Sequence, residues 1–107
     1  MEHPNLDYIK ALSAGETAFE KELIRIIKTE LPKEIDTYES QLKEGDFLSA
    51  AQSVHKLKHK ISILGMTWAY DLAVKYEEDL KKSQTRLEQS FKDVLQLMSR
   101  FVNELNL

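Results

Sequence analysis

Residues 19–46 read "FEKELIRIIKTELPKEIDTYESQLKEGD". Phe19, Leu23, Ile26, Ile27, Leu31, Ile35, Tyr38 and Leu42 recur at steps of three or four. That spacing lines one face of a helix turning about 100° per residue. Pro32 stands inside the pattern, removes a backbone donor and presses its ring on the preceding turn, so a bend near residues 28–32 is expected. The apolar stripe resumes on nearly the same side, which predicts one bent helix rather than two. It stops at Glu44-Gly45-Asp46, where Gly45 can take the left-handed conformation beyond a helix end and Asp46 can cap the next helix.

The same period continues on either side. Upstream, residues 5–13 predict a short leading helix with Asn5 as its N-cap. "SAGE" (13–16) and "TAFE" (17–20) each offer a capping box, Ser or Thr with Glu three later. Downstream, a second long helix runs to about Leu64 and Gly65 closes it. Thr67 caps a third, whose buried face is Ala69, Leu72, Tyr76 and Leu80. "TRLE" (85–88) opens a last helix with Leu87, Phe91, Val94, Leu95, Met98, Phe101, Val102 and Leu105 inward. No strand-like alternation, repeat, linker or low-complexity run interrupts this order. The expectation is an all-α fold: an antiparallel up-and-down four-helix bundle with a short additional N-terminal helix, forming one domain over residues 1–107.

Composition narrows the function. The chain has 107 residues, 42% apolar and 31% charged, enough for one core without covalent staples. It has no cysteine, so disulfides and Cys-ligated metals are excluded, and a reducing, cytoplasmic compartment fits. The opening "MEHPNLDYIK" lacks an apolar segment behind basic residues and does not read as a signal peptide. Its apolar runs are too short to span a bilayer. A net charge of −3 argues against nucleic acid as the main partner.

Positive character is instead local. In "SVHKLKHKISILG" (53–65), two histidines and three lysines fill positions 55–60. Projected on a helix, Ala50, Val54, Leu57, Ile61 and Leu64 form the buried stripe, and His55, Lys58, His59 and Ser62 fall on the opposite face. Exposed histidines are not satisfied core groups, and three readings remain. One is a solvated basic face. A second is a metal site, since His55 and His59 stand four apart; against it, only two ligands are supplied, no carboxylate stands beside them on the face, and adjacent lysines repel a cation. The third is phosphoryl chemistry at His55, with Lys58 one turn along as a point charge for phosphate oxygens.

His55-Lys56-Leu57-Lys58, an apolar stretch and Leu64-Gly65 at the helix end resemble the phosphorylation motif of histidine-containing phosphotransfer (HPt) domains. The resemblance covers nearly the whole chain, including the leading helix, Leu31-Pro32 in the long helix and the "EGD" turn before the histidine. It implies a relay intermediate rather than a kinase: His55 takes a phosphoryl group from an aspartyl phosphate on a response-regulator receiver domain and passes it to another. Lys58 would stabilise the group. The partners implied are receiver domains and a hybrid sensor histidine kinase, with the domain itself a monomer. The resemblance implies no bound cofactor here, since Mg²⁺ belongs to the receiver. No Gly-rich phosphate loop is present for ATP-driven autophosphorylation.

In the family a glycine usually follows the lysine; here it is His59, either an obstruction or a second donor to the phosphoryl group. Family members often orient the active imidazole with a polar residue of the following helix, and ungapped counting lands on Glu77. Leu48, Ala51 and Ile63, at the borders of the active face, and Gln52 and Ser62 on it, are candidates for receiver docking. The competing reading is a non-catalytic, degenerate HPt bundle serving only as an interaction module.

Overall fold

The computed structural model describes residues 2–105, as five helices: α1 (Asp7–Ser13), α2 (Thr17–Lys43), α3 (Phe47–Ile63), α4 (Thr67–Lys81) and α5 (Glu88–Asn103). No strand occurs among the described residues. Three-residue turns at 44–46 and 64–66 leave α3 no choice but to run antiparallel to α2, and α4 to α3. α2 packs on α3 and α5, and α4 packs on the same two, so the four long helices close into a bundle with α1 laid against α2. None of these helices is long and apolar enough to cross a membrane.

Each turn follows from local chemistry. At the end of α2 the Asp46 N–H donates to the Gln41 carbonyl (2.9 Å) and the Gly45 N–H to that of Leu42 (3.0 Å). Gly45 takes φ +75°, which a side chain would resist. Asp46 then accepts from the Ser49 N–H (3.2 Å), so the expected cap forms. The α3–α4 turn repeats the pattern, with the Met66 N–H on the Ile61 carbonyl (3.2 Å) and Gly65 at φ +75°.

Other expected caps do not form. Thr17 is the first residue of α2 and follows Glu16, with no side-chain cap. The Ser13 hydroxyl is buried and donates back to the Ile9 carbonyl (2.7 Å), which removes it from the "SAGE" box. Neither Thr67 nor the 85–88 box caps its helix. For α4 the reason is visible: the Glu2 carboxylate accepts from the Trp68 and Ala69 N–H groups (3.0 and 3.1 Å), so the cap comes from another part of the chain. Asn5 does not sit at the helix boundary, which is at Leu6, but its Oδ1 still accepts from the Asp7 N–H (3.0 Å).

α2 runs unbroken through Pro32. Its 27 residues span about 40 Å, against about 25 Å for α3. Because Lys60 meets Glu30 and Glu34 across the α2–α3 seam, the first ten residues of α2 project past the end of α3. Phe19 and Ile26, expected in the core, are exposed on that overhang, while Ile24 takes an interior position beside Ile27. α1 covers part of the overhang through the fully buried Ile9. The remaining core is as the pattern predicts: Leu31, Tyr38, Val54, Leu57, Ile61, Leu64, Tyr76, Leu80, Phe91 and Met98 form one cluster.

Lys60, the last residue of the basic cluster, does not face outward with His55. It is nearly buried and donates to Glu30 (2.9 Å) and Glu34 (3.3 Å) on α2. Burial alone would lower its pKa, but the two carboxylates outweigh that and leave it raised.

The Gly65 turn should be the least tolerant of the two glycine turns. A Cβ at Gly65 would come within 2.7–3.0 Å of the Asn5 amide, which is held by its bond to Asp7, whereas a Cβ at Gly45 meets nothing within 4 Å. Gly45→Ala is expected to cost about 1–2 kcal/mol from its backbone conformation alone. Gly65→Ala should cost measurably more, and Asn5→Ala should remove only the excess. Urea denaturation of the three variants and the double variant checks this.

Candidate functional site

The site forms where α3 and α4 face each other. α3 lies between α2 and α4, and both neighbours bury parts of it: Ala50, Ala51, Ser53, Val54, Leu57, Lys60 and Ile61 are all buried. What remains outside is a narrow strip carrying His55, Lys56, His59 and Ser62. The His55 side chain is 54% exposed near the middle of its helix.

Glu77 of α4 is the organising group. It is nearly buried, yet one carboxylate serves two partners on α3. His55 Nδ1 lies 3.2 Å from Oε2 and 3.3 Å from Oε1, and Lys58 Nζ donates to Oε1 at 3.1 Å. Lys81, one turn along α4, adds a longer contact at 3.6 Å. Burial pushes the Glu77 pKa up, but the bonds from Lys58 and His55 more than offset it, and the carboxyl is held below its usual range. An ionised carboxylate can only accept, so the proton between them belongs to His55 Nδ1. In the neutral ring that arrangement leaves the lone pair on Nε2, away from Glu77.

Ungapped counting therefore reached the residue that contacts His55. Lys58 differs from the expectation of a freely exposed cation: its side chain is only 13% exposed, on Glu77 and 5.7 Å from the centre of the Tyr70 ring. The His59 ring stands edge-to-face with that of His55, centroids 5.3 Å apart. Among the expected docking residues, Leu48 is 65% exposed, Gln52 and Ser62 are exposed, and Ile63 is half-buried. Ala51 corrects the expectation. It is 2% exposed, because two packed neighbours widen the buried arc of α3 beyond a single stripe. Sequence reasoning missed Tyr70, whose exposed ring lies against Lys58, and Val74, exposed one turn further along α4. Their signal was present: two apolar residues four apart, off the Ala69-Leu72-Tyr76-Leu80 stripe.

The strip is open surface. A groove of about 910 Å³ lies elsewhere, between α2 and α5 over Tyr38 and Leu95, and includes none of these groups. Among the described residues no three His, Asp or Glu side chains converge as a metal cage. An exposed imidazole with one nitrogen held by a buried carboxylate, and a lysine beside it, suits attack on a group presented by another macromolecule. The family profile described as Hpt domain matches residues 22–105. The chain belongs to the Hpt domain family. Hpt domains are phosphotransfer intermediates of two-component signalling and work with receiver and kinase domains, rather than as enzymes in their own right. No curated protein and no solved structure matches the chain.

Glu77 ties this site to stability. Its folded pKa lies below the unfolded value, so its contribution is complete above about pH 4.3 and is lost as pH falls through the lower folded value. Wild-type stability should therefore fall more steeply than that of Glu77→Gln on acidification below that pH, in denaturant titrations at stepped pH. In the same variant the His55 ring ¹⁵N shifts should show loss of the fixed Nδ1–H tautomer.

Proposed function

We propose that this Hpt domain relays a phosphoryl group between receiver aspartates through phosphohistidine at His55. The observation that carries the reading is the bond from His55 Nδ1 to the ionised Glu77, with the His55 side chain exposed. In the forward step the Nε2 lone pair attacks phosphorus in line, the phosphorus–oxygen bond breaks, and the receiver's aspartate leaves as carboxylate. The ring gains positive charge as the bond forms. Glu77, already on Nδ1–H, offsets that charge without moving. The return step is the reverse, onto a second receiver. The acidic pocket and Mg²⁺ that this chemistry uses belong to the receiver.

Lys58 supplies charge to the phosphoryl oxygens, and its position 3.1 Å from Glu77 keeps it within a turn of the nucleophile. Leu48, Gln52, Ser62 and Ile63 of α3, with Tyr70 and Val74 of α4, frame the receiver-facing surface. We take His59, its ring centroid 5.3 Å from that of His55, as a second donor to the phosphoryl group rather than an obstruction. Lys56, exposed between the two histidines in sequence, adds positive potential that steers an acidic receiver face toward the site.

Incubation with phosphorylated receivers tests the relay. The wild-type chain should acquire an acid-labile, base-stable phosphoryl group. His55→Gln should acquire none while keeping its fold, since exposed helical substitutions cost well under ~1 kcal/mol. Labelling retained in that variant, or moved to His59, would identify another acceptor; no labelling of the wild type by any receiver would leave an interaction module.

Lys58→Ala should slow transfer and shorten the phosphohistidine lifetime, whereas Lys56→Ala should affect mainly the encounter rate and its salt dependence. His59→Gly should slow transfer if His59 is a donor, and should also lower stability by about 1 kcal/mol through glycine in a helix interior. Faster transfer in both His59→Gly and His59→Ala would mean that the ring only crowds His55.

A further inference from the structure

The histidine in the place of the usual glycine creates a pair that the relay does not require. His55 and His59 lie one turn apart on the same exposed strip, their ring centroids 5.3 Å apart. A tetrahedral Zn²⁺ with Zn–N bonds of about 2.1 Å sits about 3.2 Å from each centroid, and holds two imidazole centroids about 5.2 Å apart. The backbone spacing already provides that separation. The rings are at 85° to one another, and rotation of the exposed His59 ring about its broad terminal torsion turns a nitrogen toward His55 Nε2.

Three features of the sequence spoke against a metal here; that the chain supplies only two ligands stands, and the structure eases the other two. The first of these two was repulsion from neighbouring lysines. Lys58 is paired with Glu77, and Lys60 points away from the strip and into Glu30 and Glu34. Lys56 alone of the three has no ion pair among the described residues. The second was the lack of a carboxylate next to the histidines on their own helix. Glu77 reaches His55 from α4 and fixes its Nδ1–H, the arrangement that metal-binding histidines generally have on their outer nitrogen. The tautomer that frees Nε2 for phosphorus frees it equally for a metal.

We propose that His55 and His59 chelate a borderline divalent transition ion, Zn²⁺ being the type, through two imidazole nitrogens with water completing the shell. The ion takes the Nε2 lone pair of His55, so metal and phosphoryl group exclude each other. The site is then a brake on the phosphoacceptor: metal occupancy blocks acceptance, and phosphorylation expels the metal. Hard ions that prefer oxygen, such as Mg²⁺, are not ligands for it. The consequence for phosphotransfer rests on the function proposed above; the chelate itself does not.

Calorimetric titration with Zn²⁺ alone, in non-coordinating buffer, tests the chelate without any receiver. His3→Ala controls for binding at the third histidine of the chain. Wild type and His3→Ala should bind one Zn²⁺ equally, with ring resonances of His55 and His59 shifting together. His59→Ala and His55→Gln should each weaken binding at least tenfold, and Glu77→Gln about tenfold through loss of the outer partner. The transfer arm compares each protein with itself: the ratio of transfer rates with and without Zn²⁺, from one phosphorylated receiver, should fall in wild type and stay near one in His59→Ala. Equal Zn²⁺ affinity in wild type and both histidine variants, or equal Zn²⁺ sensitivity of transfer in wild type and His59→Ala, overturns the proposal. Zn²⁺ binding as expected in a chain that no receiver labels would instead overturn the relay and leave the chelate standing.

Discussion

One nearly buried carboxylate fixes the relation of the two helices that make the site. Glu77 reaches from α4 to two side chains three residues apart on α3, and neither of its bonds can be replaced by water without exposing charge at a packed seam. Glu77 is also held from its own helix by Lys81. Three cationic or proton-donating groups thus converge on one anion. That convergence sets the His55 tautomer, keeps Lys58 close to the ring surface of Tyr70, and pins the register of α3 against α4. A slip of one residue along either helix would separate all of these pairs together.

The ends of the bundle are arranged by a mismatch of lengths. α2 outruns its partners, and the surplus would be bare if the N-terminal segment did not return to it. α1 covers part of the overhang, the Asn5 N–H donates to the Leu64 carbonyl (2.8 Å), and Glu2 caps α4. At the other side Lys28 donates to the Leu105 carbonyl (2.7 Å). The turn that closes the histidine helix is therefore clasped by residues from the far end of the sequence. Its glycine matters for the space it leaves as well as for its φ angle.

Most of this architecture was legible because a 3.6-residue period is a strong signal over helices of 15 to 27 residues. The outward placement of His55 followed from the period alone. What was not legible came from partners distant in sequence. Phe19 and Ile26 obey the stripe of α2 but find no neighbour at their height, which no single-helix projection can reveal. Ala51 was misjudged for the converse reason: α3 has two neighbours, so its interior arc is wider than one stripe. The capping boxes at 13–16, 17–20 and 85–88 do not form, the first because Ser13 bonds back within its own helix, while the cap of α4 comes from Glu2, distant in sequence. Glu77 was reachable through the family resemblance, but its second bond, to Lys58, was not.

The double duty of Glu77 bears on how long a phosphoryl group would survive on His55. An open convex surface offers water freely, and a carboxylate beside the ring could assist hydrolysis by taking a proton from the attacking water. The nearest carboxylate is a poor base for that task. Its lone pairs face Nδ1–H and Nζ, and the same bonds hold its pKa below the ordinary carboxylate range. A high-energy bond can thus stand in full contact with solvent and still decay slowly, waiting for a protein that brings its own acceptor. On the proposed function, part of that persistence would come from withholding a base, with no need of a lid.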